Sequence, residues 1–325
     1  MAKILVTGGA GYIGSHIVNL LGSFDHEITV YDNLSTGRRE SVVNGELIVA
    51  DLENLETLEK LIIDKKFDAC FHFAGSIIVP ESVTDPLKYY NNNTNNTLNL
   101  LNLCIKHNVN KFIFSSTAAV YGMAPGGVCS EDMQVEPINP YGKTKLMTEW
   151  MLEDIAAAHE NFEFVILRYF NVAGANVDGK VGQCSPLSTH LIKIACETAL
   201  GKRDKMYVFG DDYDTPDGTC IRDYIHVDDL AQAHIDALTY LLDGGKSTLC
   251  NCGYGHGYSV NEVLEVVKKV TGKEFVIEKG PRRAGDAPKL MSKAEKIAKV
   301  LKWKPKYDDL DLIVKTAYDW EKNLK

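Results

Sequence analysis

The sequence has no long uninterrupted apolar run and no excess of basic residues. No stretch reaches the roughly 18 apolar residues of a membrane-spanning helix. Lys and Arg number 35 against 44 Asp and Glu, which gives a formal net charge of −9. Nucleic acids and anionic membranes attract basic surfaces, so we expect neither as a partner. Residues 2–7 resemble a buried strand that runs into a glycine turn, so we expect no signal peptide.

Cysteine pairs with the spacing of metal or redox motifs are also lacking. Eight cysteines are scattered through 325 residues, and one residue separates Cys250 from Cys252, which fits neither a zinc knuckle nor a thioredoxin-type pair. We therefore expect buried, reduced thiols, a cytoplasmic location and no metal site. The length, with 45% hydrophobic and 24% charged residues, predicts a folded globular protein with a sizeable core, most readily an enzyme.

The first half of the chain alternates short β-branched runs with helical patterns. The predicted strands are Lys3–Thr7, Glu27–Asp32, Glu46–Asp51, Ala69–Ala74, Lys111–Ser115 and Phe164–Tyr169, and helices are predicted at Leu55–Ile63, Leu87–His107 and Tyr141–Ala158. Continuous apolar strands indicate burial on both faces of a parallel sheet. The pattern predicts an α/β fold, a Rossmann-type doubly wound parallel sheet.

The alternation of predicted strands and helices becomes less regular after about residue 170. Further elements are predicted as a helix over Leu187–Leu200, a strand over Ile221–Val227, a helix over Asp228–Leu242 and a helix toward Thr271 that opens with a capping box at Ser259–Glu262. We expect residues 1–173 to form a nucleotide-binding domain, with a returning segment near 221–242. Residues 174–325 would form a smaller mixed α/β substrate-binding domain.

A glycine-rich turn follows the first predicted strand. Gly8 permits a tight turn, Gly11 allows the backbone to approach a pyrophosphate, and Gly14 allows close helix–strand packing. The alternative is a purely structural glycine turn. Asp32 ends the second strand 18 residues after Gly14, where a carboxylate accepts hydrogen bonds from an adenosine ribose and disfavours a 2′-phosphate. This favours NAD over NADP, with a solvated strand end as the alternative for Asp32.

Tyr141 and Lys145 are four residues apart and so share one helix face. A free phenol has a pKa near ~10, and a nearby ammonium favours its phenolate form. Such a pair also occurs by chance in many helices. Thr117, however, lies at the end of the fifth strand, the edge where ligands bind in open α/β sheets. The three residues together predict reversible hydride transfer at a carbinol carbon.

With its further motifs, the chain resembles the extended short-chain dehydrogenases/reductases, and among them the UDP-glucose 4-epimerases. The motifs run from the first strand to the last third of the chain: TGGAGYIGSH (7–16), YDNLS (31–35), HFAG (72–75), SSTAAVYG (115–122), YGKTK (141–145), LRYFNVAGA (167–175), RDYIHVDDLA (222–231) and RRAGD (282–286). Dehydratase relatives carry an acidic pair after the strand-end threonine. Here Ala118 and Ala119 follow Thr117, which argues against dehydration.

The resemblance implies a bound NAD and a role for each motif residue. Tyr141 would remove the proton of the sugar 4-OH, Thr117 would steady the reacting oxygen, and Lys145 would tune Tyr141 and hold the nicotinamide ribose. Cofactor contacts are implied for Gly8, Gly11, Tyr12, Ile13, Gly14, Asp32, Asn33, Leu34, Ser35, Asp51, Leu52, Phe73, Ala74, Gly75, Asn92, Thr117, Tyr141, Lys145 and Phe170. Substrate contacts are implied for Thr117, Tyr141, Asn171, His190, Leu191, Tyr207, Val208, Phe209, Arg222, Arg283, Asp286 and Leu290.

The implied activity is reversible 4-epimerisation of UDP-glucose and UDP-galactose through a transient 4-keto sugar and bound NADH. The resemblance also implies a homodimer, joined through the helices within Asn92–His107 and Tyr141–Ala158. The alternatives are a 4-epimerase of UDP-N-acetylglucosamine, a UDP-pentose or a UDP-uronate, an NAD-dependent sugar-nucleotide oxidoreductase, and an idle NAD-binding scaffold. His190 stands where relatives often have Asn. Leu290 is intermediate between the large and small side chains that relatives carry there, so acceptance of N-acetylated sugars stays open.

Overall fold

The computed structural model describes residues 1–185, 188–283 and 285–324. Within these ranges the strands are β1 (Lys3–Thr7), β2 (Glu27–Asp32), β3 (Glu46–Val49), β4 (Ala69–His72), β5 (Lys111–Thr117), β6 (Val128–Cys129), β7 (Glu163–Tyr169), β8 (Asn171–Ala173), β9 (Met206–Phe209), β10 (Ile221–Arg222), β11 (Tyr224–His226), β12 (Thr248–Cys252), β13 (Tyr258–Ser259), β14 (Ile277–Gly280) and β15 (Lys289–Ser292).

The helices of the same ranges are α1 (Tyr12–Leu21), α2 (Leu55–Lys65), α3 (Val79–Thr84), α4 (Pro86–Tyr89), α5 (Asn96–Lys106), α6 (Pro140–Ala158), α7 (Leu191–Ala199), α8 (Val227–Leu242), α9 (Val260–Thr271), α10 (Glu295–Val300) and α11 (Leu310–Asn323). Short 3₁₀ turns lie at Arg39–Ser41, Ala118–Tyr121 and Pro125–Gly127, and a π-helical turn spans Tyr90–Asn95. None of the helices in the described part of the chain is long and apolar enough to cross a membrane.

A seven-stranded parallel sheet in the order β12-β7-β5-β4-β1-β2-β3 forms the centre of the molecule. Successive residues of β1 pack into two different cores: Ile4 and Val6 contact the layer of α1 and α8, and Leu5 contacts the layer of α2, α5 and α6. Because side chains alternate between the faces of a strand, this pattern shows helices on both faces of the sheet. The predicted doubly wound Rossmann-type fold is confirmed.

The chain returns to this sheet after residue 221. Helix α8 packs against α1, and β12 adds to the edge of the sheet as a parallel partner of β7. The remaining strands form a four-stranded sheet, β13-β10-β15-β6, and two strand pairs, β11-β8 and β14-β9. A separate core beneath them joins α7, α9 and α11. The division into domains at residue 173 stays a prediction.

Three predicted elements differ from the structure by more than a shift of one or two residues at an end. The predicted helix Leu87–His107 is interrupted by the π turn, whose residues Asn92 and Asn93 both hydrogen-bond Ser76. The predicted strand Ile221–Val227 divides at Asp223 into β10 and β11, which join different sheets. The backbone N–H of Asp223 donates to Leu290 of β15, and its oxygen accepts from Asn171 of β8, so the chain passes from one sheet to the other there. The predicted helix Leu187–Leu200 begins at Leu191 as α7, and Leu187 itself lies outside the described residues.

Candidate active site

The glycine turn between β1 and α1 forms a cradle of bare backbone. Gly8 has a φ of +73°, and a Cβ there would lie 2.5 Å from the Ala74 nitrogen. A Cβ on Gly14 would lie 2.3 Å from the Gly8 oxygen, so both glycines are required by packing. A Cβ on Gly11 would meet only the Gly8 oxygen, at 3.3 Å. Gly11 therefore faces open space at the amino end of α1, where free N–H groups suit a diphosphate.

The next strand ends form a polar corner beside this turn. The carboxylate of Asp32 is buried and accepts hydrogen bonds from the Ala10 and Leu34 nitrogens, at 2.9 and 2.8 Å. The alternative of a solvated strand end for Asp32 is therefore wrong. Burial raises the pKa of Asp32, and these two hydrogen bonds oppose that rise. The Asn33 amide donates to the Asp51 carboxylate at 2.6 Å, which brings two strand ends together.

The remaining residues predicted at this corner are close by. The backbone N–H of Ser35 donates to the Asn33 side chain at 2.9 Å, and Leu34 adopts a φ of 58° between them. Leu52 follows Asp51 and is buried in the core below. A single turn thus carries Asp32 to Ser35, and it faces Asp51 across the ends of β2 and β3. This grouping is the one expected for an adenosine-binding edge.

The end of β4 closes the groove on the other side of the glycine turn. The Phe73 N–H donates to the Thr7 oxygen at 2.9 Å, which holds the segment of Phe73, Ala74 and Gly75 against β1. A Cβ on Gly75 would lie 3.1 Å from the Asn93 side-chain oxygen and 3.8 Å from the Lys145 ammonium. The absence of a side chain at Gly75 therefore keeps the groove open next to Lys145.

Two asparagines of the π turn hold this segment. Asn92 donates to the Ser76 hydroxyl at 2.9 Å. Asn93 is buried, accepts from the Ser76 nitrogen at 2.7 Å and donates to the Thr144 hydroxyl of α6 at 3.1 Å. Sequence reasoning selected Asn92 and missed Asn93, because a run of three asparagines gives no signal for which one turns inward. π turns inside helices occur frequently at functional sites.

Thr117, Tyr141 and Lys145 meet where β5 ends against the first turns of α6. The three side chains are buried, with exposed fractions of 9%, 8% and 4%. The Tyr141 hydroxyl hydrogen-bonds Thr117, and the Lys145 ammonium donates to the Ser115 oxygen at 3.0 Å. The side chain of Asn139 caps α6 by accepting from the Gly142 nitrogen at 2.8 Å, so the helix begins at the position that brings Tyr141 to the strand end.

Burial changes the acidity of both ionisable groups at this point. It raises the pKa of Tyr141, and the hydrogen bond with Thr117 lowers it. Burial also lowers the pKa of Lys145 to about 8, against the attraction of the Glu149 carboxylate. Burial thus moves the two pKa values apart and favours the uncharged form of each group, so the lowered pKa of Lys145 lies near the neutral range in which general acid–base groups work.

Phe170 and Leu290 border this centre from β7 and β15. They pack in one apolar cluster with Ala118, Val120 and Tyr121 of the turn that follows Thr117. Asn171 follows Phe170, and its backbone N–H donates to the Asp223 oxygen at 3.0 Å. The Asp223 N–H in turn donates to the Leu290 oxygen at 3.3 Å. The predicted substrate residues Asn171 and Leu290 are therefore linked through one residue that the sequence analysis did not select.

Two arginines converge on one carboxylate in the region of β10 and β15. Arg283 donates to Asp286 at 2.8 Å, and the Arg222 guanidinium lies 3.7 Å from the other oxygen of Asp286. Arg222 also donates to the Ala287 oxygen at 2.7 Å. Arg283 lies over the ring of Phe209, with 5.1 Å between its guanidinium carbon and the ring centroid. Two guanidinium groups at one place suit a doubly charged diphosphate.

The rest of the predicted substrate residues divide between this edge and the core. Tyr207 and Phe209 are exposed neighbours with ring centroids 6.0 Å apart, whereas the side chain of Val208 is buried in the core beneath β9. Because side chains alternate between the two faces of a strand, Val208 lies on the opposite face of β9 from Tyr207 and Phe209. His190 lies 6.4 Å from the Tyr12 ring between centroids, and Leu191 opens α7 beside it.

Tyr12 and Ile13 stand at the first turn of α1, where the two halves of the site meet. The Tyr12 hydroxyl donates to the Gly174 oxygen at 2.6 Å, which ties the cofactor-side helix to the loop after β8. Ile13 is half-buried and packs against the core of the α1 layer. The pKa of His190 is lowered to about 4, chiefly by burial and further by Lys193, so its imidazole is neutral at pH 7.

Comparison with known proteins agrees with this arrangement. The model of the NAD dependent epimerase/dehydratase family matches residues 4–253. The chain belongs to this family. A UDP-glucose 4-epimerase of Azospirillum brasilense is 52% identical over 324 residues, which cover 99% of this chain and 93% of that protein.

Solved structures of family members have the same fold over the whole chain. The UDP-Glc/GlcNAc 4-epimerase from Campylobacter jejuni is 53% identical, covers 99% of both chains and superposes with a TM-score of 0.87. The UDP-glucose 4-epimerase from Brucella ovis, solved in complex with NAD, is 43% identical, covers 98% of both chains and gives a TM-score of 0.95. The family resemblance stated from the motifs is thus confirmed.

Proposed function

We propose that this protein catalyses the reversible 4-epimerisation of UDP-glucose and UDP-galactose through a transient 4-keto sugar, with NAD as its resident cofactor. One observation carries the proposal: a buried Thr117–Tyr141–Lys145 group at the end of a parallel strand, beside a glycine cradle with one open face. The relatives named UDP-glucose 4-epimerase match nearly the full length of the chain.

The cradle suits NAD because Gly11 leaves the amino end of α1 free for a diphosphate, and Asp32 closes the adenosine corner with a carboxylate. NAD, when bound, supplies the acceptor and donor for the hydride of sugar carbon 4. Tyr141 takes the 4-OH proton and returns it, Thr117 orients the same oxygen, and Lys145 favours the tyrosinate by its positive charge.

On the substrate side, Arg222 and Arg283 would exchange part of their contact with Asp286 for the diphosphate of the nucleotide. Phe209 and Tyr207 offer an apolar edge for the uracil. The positive charge needed for a doubly negative substrate is thus local, although the chain as a whole carries a net charge of −9. The negative net charge argues against polyanionic macromolecules as partners, but it does not describe the charge inside the pocket.

The test measures product formation and the oxidation state of the coenzyme during turnover. The purified protein, given UDP-galactose and a catalytic amount of NAD, is expected to produce a mixture with UDP-glucose while NADH absorbance does not accumulate. Chromatography resolves the two nucleotides. Consumption of NAD in step with product would indicate a net oxidoreductase, and no product at all would indicate a scaffold; either result contradicts the proposal.

Acceptance of N-acetylated sugars is a second candidate, favoured by the position of Leu290. This side chain lies in the cluster that includes Phe170 and the turn after Thr117, next to the reacting group. A relative that is 53% identical is named a UDP-Glc/GlcNAc 4-epimerase. The same assay with UDP-N-acetylglucosamine tests this activity directly, and no UDP-N-acetylgalactosamine would form if Leu290 excludes the acetamido group.

The homodimer and the cytoplasmic location are also proposals. Exposed apolar side chains lie on helices α3 to α6, which pack against one another: Val83, Leu87, Leu98 and Trp150. Sedimentation velocity is expected to give a dimer that Trp150→Glu dissociates, and a monomeric wild-type protein would contradict this. All eight cysteines are among the described residues, where each is buried and unpaired, which supports a reducing compartment.

A further inference from the structure

We propose that Glu149 is a positioning residue of the active site: its buried carboxylate anchors α6 to the ends of β5 and β7 and provides the counter-charge that keeps Lys145 and Tyr141 in their working protonation states. The inference rests on the proposed function, because it assigns roles to Lys145 and Tyr141 in that reaction. Glu149 is not among the residues proposed to contact the substrate or NAD, and it acts through Lys145.

Glu149 extends the catalytic face of α6 by one turn. Tyr141, Lys145 and Glu149 follow one another at intervals of four residues, so they lie in a row along the helix, and each is buried. The row meets three consecutive residues of β5. Tyr141 hydrogen-bonds Thr117, Lys145 donates to the Ser115 oxygen at 3.0 Å, and Glu149 accepts from the Ser116 hydroxyl at 2.5 Å.

The third contact continues into the sheet through Arg168 of β7. Its guanidinium donates to both oxygens of Glu149, at 3.0 Å from Nε to one and 2.5 Å from Nη2 to the other. It also lies 4.9 Å from the centroid of the Tyr121 ring, and the Tyr121 hydroxyl donates to Asn251 of β12 at 2.6 Å. The carboxylate thus connects the catalytic helix with three neighbouring strands of the large sheet.

With Glu149 in place, the row and its partner Arg168 carry a single net positive charge. Glu149 and Arg168 offset one another, and the positive charge that remains belongs to Lys145. If the carboxylate is replaced by an amide, two buried cations remain within reach of one another, and each opposes the protonation of its neighbours. The attraction of Glu149 already raises the pKa of Lys145 against the lowering by burial.

The other groups that face Lys145 and Tyr141 are neutral at pH 7. The pKa of His72 on β4 is lowered to about 3 by burial and by Lys145 itself. Burial raises the pKa of Tyr169 on β7 and of Tyr89 on α4, both of which lie within electrostatic range of Tyr141. The ring of Phe114 lies 4.9 Å below the Lys145 ammonium. These groups cannot replace the negative charge of Glu149.

The experiment compares pH–rate profiles of the NAD-loaded protein with UDP-galactose. For Glu149→Gln, the loss of a negative charge lowers the pKa of the ammonium and of the phenol together, so both limbs of the kcat profile are expected to move about one pH unit toward acid. For Arg168→Met, the unpaired carboxylate is expected to move both limbs in the opposite direction. Asp154→Asn, which removes an exposed carboxylate of α6 that lies outside the row, is the matched control and is expected to leave the profile in place.

A readout independent of turnover is the phenolate absorbance of Tyr141. It is obtained as the difference titration between each variant and the same variant with Tyr141→Phe, and its midpoint is expected to shift in the same direction as the profile. Glu149→Asp keeps the charge with a shorter reach, so it is expected to lower kcat without moving the midpoint.

Two results would overturn the inference while the wild-type protein remains an epimerase. The first is a uniform fall of kcat at every pH with unmoved limbs in Glu149→Gln, which a purely structural role predicts. The second is a shift in the same direction for Glu149→Gln and Arg168→Met. If circular dichroism shows that one of these variants is unfolded, the direction in which the pH–rate profile of the other variant shifts decides between the two roles. A wild-type protein without epimerase activity contradicts the proposed function instead.

Discussion

Replacement of Tyr141 by phenylalanine is the most direct perturbation of the proposed chemistry. The change removes one hydroxyl and keeps a ring that is only 8% exposed and packed between β5 and α6. The lost hydrogen bond with Thr117 costs about 1 kcal/mol of the free energy of unfolding. Thr117 keeps a partner, because its hydroxyl also accepts from the Ala119 nitrogen at 3.1 Å. We therefore expect the midpoint of thermal unfolding to fall by no more than about 4 °C.

The effect on turnover is expected to be far larger. A general base positioned on the reacting proton contributes on the order of 10²- to 10⁴-fold in rate. The assay is the conversion of UDP-galactose at saturating substrate, together with the amount of NAD retained after gel filtration. We expect kcat to fall by that factor while the retained NAD and the circular dichroism spectrum stay those of the wild type.

A matched control separates this loss from the general effect of removing a tyrosine hydroxyl. Tyr240→Phe deletes a hydroxyl that donates to the Lys246 oxygen at 2.9 Å, on the far end of α8 from the site. Its turnover is expected to equal that of the wild type. Turnover of Tyr141→Phe within about threefold of the wild type would refute the proposed base. An unfolded or NAD-free variant would show that Tyr141 acts as a structural residue.

Three further outcomes are expected. Gly11→Ala should retain the fold, since its new methyl group meets only the Gly8 oxygen at 3.3 Å, but should weaken NAD binding at least tenfold in an equilibrium titration. Gly14→Ala should instead lower the thermal stability, because its methyl group would clash with the Gly8 oxygen. Equal effects of the two substitutions would contradict the assigned cradle. Leu290→Tyr should suppress turnover of UDP-N-acetylglucosamine more than that of UDP-glucose, and an equal response would show that Leu290 is no gate. Four buried imidazoles should make the protein acid-labile: His16, His72, His226 and His234. Their contribution to stability is complete above the unfolded pKa of about 6.5 and is lost as pH falls toward the folded values of about 3 to 4. Asp228, whose pKa is raised to about 6, opposes this trend, as do Asp32, Asp229 and Asp236, whose pKa values burial also raises. Denaturant titrations should show the free energy of unfolding falling between pH 7 and pH 4, and a flat profile would contradict the burial of these rings.

Local signals in the sequence predicted the elements that depend on neighbouring residues. The first two strands have the predicted bounds, and the capping box at Ser259 and Glu262 is present with both of its hydrogen bonds. The glycine turn has the predicted geometry, because a Cβ on Gly8 or Gly14 would lie less than 3 Å from neighbouring backbone atoms, whereas Gly11 borders open space. Such features follow from sterics and hydrogen bonding within a few residues.

Elements that depend on distant residues were predicted less well. The π turn at Tyr90–Asn95 is stabilised by contacts of Asn93 with Ser76 and Thr144, which stand 17 and 51 residues away. The break at Asp223 depends on the loop at Tyr254 and on Ser292, whose hydroxyl donates to this carboxylate at 2.6 Å. No pattern within a short window contains these partners, so periodicity alone extends a helix or strand through them.

The sequence by itself determined the class of fold and the glycine cradle, and it predicted Thr117, Tyr141 and Lys145 as the reacting side chains. Spacing of four residues places Tyr141 and Lys145 on one helix face wherever that helix packs. Only the tertiary structure decided what that face meets: three successive residues of β5, with Glu149 and Arg168 closing the row. It also decided that Arg222 and Arg283 share Asp286. The physical reason is that charge pairing and burial are set by elements far apart in the chain, which the fold alone brings within a few ångströms.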